Sequence, residues 1–339
     1  MRKRLMVGIT LAFLALLALI SASLNAQDFH MSQYDATTLY MNPALTGMYL
    51  GEKGDFRITD DYRQQWKALG IKPFSTIYLS YDMPVTVKKK KIGLGAYLVN
   101  ERAGQGNFNT LEFMASAAYN IIEGSEKHYL TTGLQLGFFN KSFSPSSFTY
   151  DAQYSGSTGN FDSNLPTDES NSNTNLLRLD ANVGIYYKFI ATESKVHPYA
   201  GFSIDHLNIP KETFAGTTTR LPMRFNYNAG CDIKVNETFT VVPKVLYMQQ
   251  STATELFFGA EMRYKLSGEY TALLNLNYRN QDAFVFDIGL KKGGHVLRLG
   301  YDLNTSGLSN YTGGRGAFEI SLIITGIKGQ SLFSNKARI

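Results

Sequence analysis

The sequence predicts an all-β protein, a transmembrane outer-membrane antiparallel β-barrel of about 14 strands, and three observations carry that reading. An export leader opens the chain, no later apolar run approaches the length of a membrane helix, and long segments alternate apolar with polar residues. Inside a bilayer every backbone amide needs a partner in the protein. A chain with this pattern meets that need only as a closed barrel.

The leader begins with Arg2, Lys3 and Arg4, continues through an apolar run from Leu11 to Ile20, and ends in small and polar residues at Ala26. Cleavage after Ala26 defines a signal peptide at 1–26 and leaves Gln27 first. The residue directly after the cut is Gln27 and not cysteine, which argues against a lipoprotein. The formal charge of +5 includes the three basic residues of the leader, so the mature chain carries only +2 and gives no reason to expect nucleic acid. Cys231 is the single cysteine, which rules out an intramolecular disulfide and cysteine-based metal clusters.

Alternation is clearest around Leu177, Leu179, Ala181, Val183, Ile185 and Tyr187, interleaved with Arg178, Asp180, Asn182, Gly184, Tyr186 and Lys188. One face suits lipid and the other a wet lumen. The same pattern recurs from Arg224 to Val235, from Tyr270 to Arg279 and from Val296 to Leu303. Strands are expected near 55–62, 74–82, 91–100, 109–121, 128–139, 176–189, 196–206, 221–235, 239–247, 254–264, 270–279, 283–290, 296–302 and 317–325. The first is the weakest, because Asp60 and Asp61 interrupt it. If it runs outward, the external connections have about 11, 8, 36, 14, 6, 3 and 14 residues and the periplasmic ones about 8, 6, 6, 3, 5 and 5, the asymmetry such barrels show.

The chain thus divides into the signal peptide, an N-terminal extension at 27–54 that is periplasmic or lumenal, a barrel at 55–325 and a tail at 326–339. The external segment from Asn140 to Asn175, rich in Ser, Asn and Thr, reads as a surface loop. Lys88, Lys89, Lys90 and Lys91, with Lys127, Lys195, Lys265, Lys291 and Lys292, form a basic inner rim. Gly93, Gly95, Gly133, Gly137, Gly201, Gly230, Gly259 and Gly289 fall inside strands, where they relieve crowding or let a lumenal segment approach the wall.

No HExxH, P-loop or Rossmann glycine pattern occurs. His30, His128, His197, His206 and His295 assemble no Ser/His/Asp set by spacing. His206 beside Asp205 reads as a rim histidine with solvent partners. Neither catalysis nor a cofactor or metal is expected.

The stretch QDFHMSQYDATTLYMNPALTG, with Gln33, Tyr34, Asn42, Pro43 and Gly47, resembles the opening of the PorP/SprF family of the type IX secretion and gliding-motility apparatus. YRQQW (Tyr62 to Trp66), GLGAYLVNERAG, HLNIP, YRNQDAF, LRLGYDLN and GAFEISL are similar to further family motifs, in order along the chain. Gly316 and Ala317 stand where the family more often has Ser-His, and Phe333 is the aromatic nearest the C-terminus. The resemblance implies an outer-membrane component that helps export or anchor secreted surface proteins, such as adhesins with a C-terminal signal domain. It also implies contact with periplasmic parts of the apparatus and with outer-membrane lipids. Gln33, Tyr34, Asn42, Pro43, Gly47, Tyr62 and Trp66 are the expected partner-binding residues. The alternative is a passive or substrate-specific channel, since a barrel of this size is wide enough for a lumen.

Overall fold

The computed structural model describes residues 28–48, 54–88, 90–104, 106–145, 148–167, 174–214 and 219–326. The expected signal peptide and most of the tail lie outside them. The barrel strands are β1 (Phe56–Gln65), β2 (Phe74–Val87), β3 (Lys90–Ala103), β4 (Phe108–Asn120), β5 (His128–Ser142), β8 (Asn175–Phe189) and β9 (Val196–Asp205). They continue with β10 (Arg224–Lys234), β11 (Phe239–Gln250), β12 (Ala253–Lys265), β13 (Tyr270–Arg279), β14 (Ala283–Lys292), β15 (His295–Asn304) and β16 (Arg315–Gly326). The two-residue strands β6 (Tyr154–Ser155) and β7 (Asn160–Phe161) pair only with each other, in the longest loop.

Each barrel strand pairs antiparallel with its sequence neighbour in the wall, and β1 pairs with β16 from Phe56↔Gly326 to Gln65↔Ala317. That last pairing closes a barrel of fourteen strands and leaves no open edge. Side chains obey the two-residue period. On β8, Asp180, Asn182 and Tyr186 are buried toward the lumen while Leu177, Leu179 and Ile185 are exposed toward lipid.

The first strand does not break at its two aspartates. It runs on to Gln65, with Asp61 fully buried on the lumenal side and Asp60 exposed on the outer side. The sequence misjudged this strand because two adjacent acids were read as one polar interruption. In a strand, neighbours face opposite ways.

Connections at the end where β1 begins have two, seven, six, four, four and two residues. Those at the other end have eight, four, thirty-two, eighteen, two, three and ten. The short-turn end, which also holds the start of β1 and the end of β16, is periplasmic by this asymmetry. We expect, in a Cys231→Ser background, that Ser157→Cys in the long loop reacts with a membrane-impermeant maleimide in intact cells and Lys265→Cys only after permeabilisation. The opposite pattern would invert the barrel.

Candidate functional site

Residues 28–48 form an arm inside the barrel. It contains one helical turn, α1 (Thr38–Met41), and a 3₁₀ turn at Pro43–Leu45, and its side chains from Met31 to Gly47 are mostly buried. So short a segment has no stability of its own. Its conformation comes from sockets in the wall.

The outermost socket holds Asp28. Its carboxylate meets His206 Nε2 at 2.7 Å and Gln250 Nε2 at 2.9 Å, and its backbone N–H donates to Gln250 Oε1 at 2.9 Å. The other ring nitrogen of His206 lies 2.6 Å from Asp180, and Arg224 reaches both Asp205, at 2.8 Å, and the Tyr40 hydroxyl, at 2.6 Å. Tyr40 in turn stacks on Phe29 with ring centres 4.8 Å apart. His206 is therefore not the solvated rim histidine its sequence context suggested. It is buried, at φ +59°, between two carboxylates. Burial alone raises the Asp28 carboxyl, but His206 and Arg224 override it and hold that group well below the usual range. Burial likewise opposes a charge on His206, and Asp28 and Asp180 override it upward.

The second socket lies beside the closing seam. Ser32 and Gln33 donate their backbone N–H groups to the two Glu319 carboxylate oxygens, at 3.0 and 2.7 Å. Arg63 of β1 bridges to Glu319 of β16 at 2.6 Å and to Asp302 of β15 at 2.8 Å. Arg279 of β13 meets the same Asp302 oxygen at 2.7 Å, and the Ser32 hydroxyl donates to it at 2.9 Å. Arg63 and Arg279 both donate to the Ser32 oxygen, at 2.8 and 3.0 Å. Two cations and two anions, all buried, thus close around one serine of the arm.

Below this, Asp35 lies 3.0 Å from Lys244 and 3.1 Å from Arg298. Beside it an unfilled space of about 210 Å³ is lined by Tyr34, Asp35, Lys188, Tyr199, Lys244 and Arg263 among others. Tyr34 packs edge-on against Phe257 with ring centres 5.3 Å apart.

The inner end of the arm is held by backbone contact. Asn42 caps the 3₁₀ turn by accepting from Ala44 N–H at 2.9 Å, and its amide donates to the carbonyls of Ile185 at 3.1 Å and Phe202 at 3.3 Å. This approach needs glycine in the wall. A Cβ on Gly184 would lie 2.0 Å from Asn42 Oδ1, and one on Gly133 would lie 2.3 Å from the Pro43 carbonyl carbon. Gly47, at φ +62°, brings its N–H 2.5 Å from Asp82, which is also paired with Arg57 at 2.7 Å. Gly95, Gly137 and Gly259 instead relieve crowding within the wall itself.

Five of the expected partner-binding residues, Gln33, Tyr34, Asn42, Pro43 and Gly47, thus sit inside the lumen and engage the wall. Tyr62 faces outward on β1, where Gln64 donates to its hydroxyl at 3.2 Å. Trp66 caps the outer end of β1 at φ +58°, donating its N–H to the Gly316 carbonyl at 2.9 Å, with its ring 4.7 Å from that of Phe74. The structure does not gather these seven into one surface. Sequence reasoning missed Arg63, Arg279, Asp302 and Glu319 as a group. Their signal was present, because each is a charged member of a separate motif: YRQQW, YRNQDAF, LRLGYDLN and GAFEISL. Among the described residues no cluster of three or more His, Cys, Asp or Glu could hold a metal ion.

The family model described as type IX secretion system membrane protein PorP/SprF matches residues 23–324. The chain belongs to this family. A location in the outer membrane and association with components of the type IX secretion system follow from PorP/SprF membership together with the barrel. No curated protein matches the chain. Among solved structures, the toluene transporter TbuX of Ralstonia pickettii is 11% identical with a TM-score of 0.49, over 84% of this chain and 91% of that one. The toluene transporter TodX of Pseudomonas putida is 10% identical with a TM-score of 0.46, over 88% and 94% of the two chains. The KdgM porin is 8% identical with a TM-score of 0.35, over 79% and 98%.

Removing Arg63 leaves Asp302 and Glu319 short of a buried partner at the seam. Arg63→Ala is expected to cost about 3–5 kcal/mol, the usual penalty for breaking one side of a buried pair, read as a lower urea midpoint of the folded barrel in detergent. The Asp28–His206 pair predicts a pH window. The lowered Asp28 group contributes stability above its ordinary 3.8 and loses it only far below. The raised His206 group contributes fully below its ordinary 6.5 and loses that contribution as pH climbs through its elevated folded value. Thermal midpoints of the wild type should therefore fall on the alkaline side, and His206→Gln should flatten that fall.

Proposed function

We propose that this PorP/SprF member is a plugged, non-enzymatic outer-membrane anchor that helps export or hold particular secreted surface proteins, such as adhesins bearing a C-terminal signal domain. The observation that supports this reading most is the arm. Four separate sockets, three of them built on ion pairs, hold it along the lumen. A pathway for solutes would gain nothing from contacts that fill it. An anchor gains rigidity, because the arm ties β1, β15 and β16 at the seam to β8 and β9 across the barrel.

In this reading the outer loops meet the cargo, and the basic inner rim faces the periplasmic apparatus. Tyr62 and Trp66, on the outer wall and its rim, are the directly reachable members of the expected partner set. Gln33, Tyr34, Asn42, Pro43 and Gly47 serve partners indirectly, by fixing the arm that stiffens the rims. The extension at 27–54 acts as a plug, and the remainder to 325 as its frame.

The channel reading is tested directly. Purified wild-type protein in planar bilayers is expected to be silent, and deletion of residues 28–47 to give steady conductance. Conductance of the wild type at the level of the deletion variant would favour the channel. Affinity capture of tagged protein from solubilised membranes should recover type IX secretion components together with one surface protein. Recovery of the former alone would limit the role to the apparatus.

A further inference from the structure

Asp60 is the sole Asp, Glu, Lys, Arg or His among the described residues that points outward from the middle of a barrel strand. Its neighbours Thr59 and Asp61 are fully buried on the lumenal side, so the two-residue period fixes Asp60 on the lipid side, where it is exposed. The adjoining wall is apolar. Leu79 of β2 and Leu322 of β16 stand directly beside Asp60 in register, and they are 47% and 38% exposed, with Ile77 next along at 49%. No described side chain or backbone N–H donates to the Asp60 carboxylate.

A carboxylate facing hydrocarbon is destabilising. Nothing in the fold requires it, because β1 has the same pairing whichever side chain occupies that position. Most lumenal charges of this barrel are paired, and the unpaired acids among them, Asp61 and Asp287, are shut inside the barrel, whereas Asp60 is open on the outer wall. An ionisable group at membrane depth that its own chain does not satisfy points to satisfaction by another chain.

We propose that the outer face of β1, with β2 and β16 on either side, is an intramembrane docking surface for a second, different outer-membrane barrel. That barrel presents a hydrogen-bond-donating or cationic side chain to Asp60 at mid-depth. The chemistry selects the occupant. Lipid tails offer no donor. A second copy docked on the same patch about a twofold axis would set Asp60 against Asp60. A membrane-embedded Arg, Lys or Tyr on a foreign strand supplies donors where the field is least screened. Tyr62 and Gln64, already bonded to one another on this face, continue the polar stripe toward the outer rim. This inference is independent of which surface protein is carried and of whether the lumen conducts.

The test uses the full chain in the native outer membrane of the cells that make it. A photo-crosslinking residue replaces Leu79, and as a control Tyr227 on the opposite wall. Irradiation should give an adduct from Leu79, at least tenfold stronger than from Tyr227, whose joined peptide maps to a lipid-facing strand of another barrel protein. Adding Asp60→Leu should remove at least nine-tenths of that adduct, and Asp60→Asn, which keeps an acceptor, less. Purified Asp60→Leu protein should still unfold at the wild-type urea concentration or a higher one, so that loss of the adduct reports docking and not misfolding. An adduct no stronger than the control, one unchanged by Asp60→Leu, or one formed with a second copy of this chain would each overturn the proposal.

Discussion

A sheet that crosses a membrane must have no edge, and everything else in this protein is arranged around the place where its edges meet. The β1–β16 pairing is the last contact in the wall and the one with the longest sequence separation, so its loop-closure cost is the largest in the fold. Arg63 spans that seam to Glu319 and reaches Asp302 one strand further on. Glu319 spends both carboxylate oxygens on the arm. The seam and the arm are therefore one construction, and neither set of buried charges is satisfied without the other.

The lumen carries many ionisable groups because a barrel of fourteen strands has more inward positions than the arm alone could cover with apolar side chains. Buried ion pairs add little net stability over apolar packing, but breaking one side of a pair is costly. Their effect is to make one placement of the arm far better than any slipped one. Asp28, Ser32, Asp35 and Gly47 each find a partner only at one height in the barrel. Direction follows from the same sockets: the arm meets its first partners near the outer mouth and leaves along Gly47 at the periplasmic one, where β1 begins.

Two aspartates side by side show how differently the two faces of a strand are governed. Asp61 points into a lumen crowded with charge. Asp60 points into the membrane, with leucines on both sides. The period of a strand makes this opposition unavoidable; Asp61 too lacks a hydrogen-bond partner, but only Asp60 is open to the membrane.

Alternation, loop asymmetry and the absence of any membrane-length apolar run after Ile20 made the barrel legible in the sequence, because these are local properties that recur along the whole chain. The ordered motifs made the family legible in the same way. What they were for was not legible. Arg63, Arg279, Asp302 and Glu319 lie in four motifs spread over most of the chain, and only closure of the barrel brings them around Ser32. His206 looked like a solvated rim residue because Asp28 and Asp180, its two partners, are far away in sequence. The sequence by itself determined that this chain forms a barrel and which residues face the lumen, since strand period depends on neighbours. Tertiary structure alone decided that the N-terminal segment fills that lumen, because the sockets that hold it exist only once the first and last strands have met.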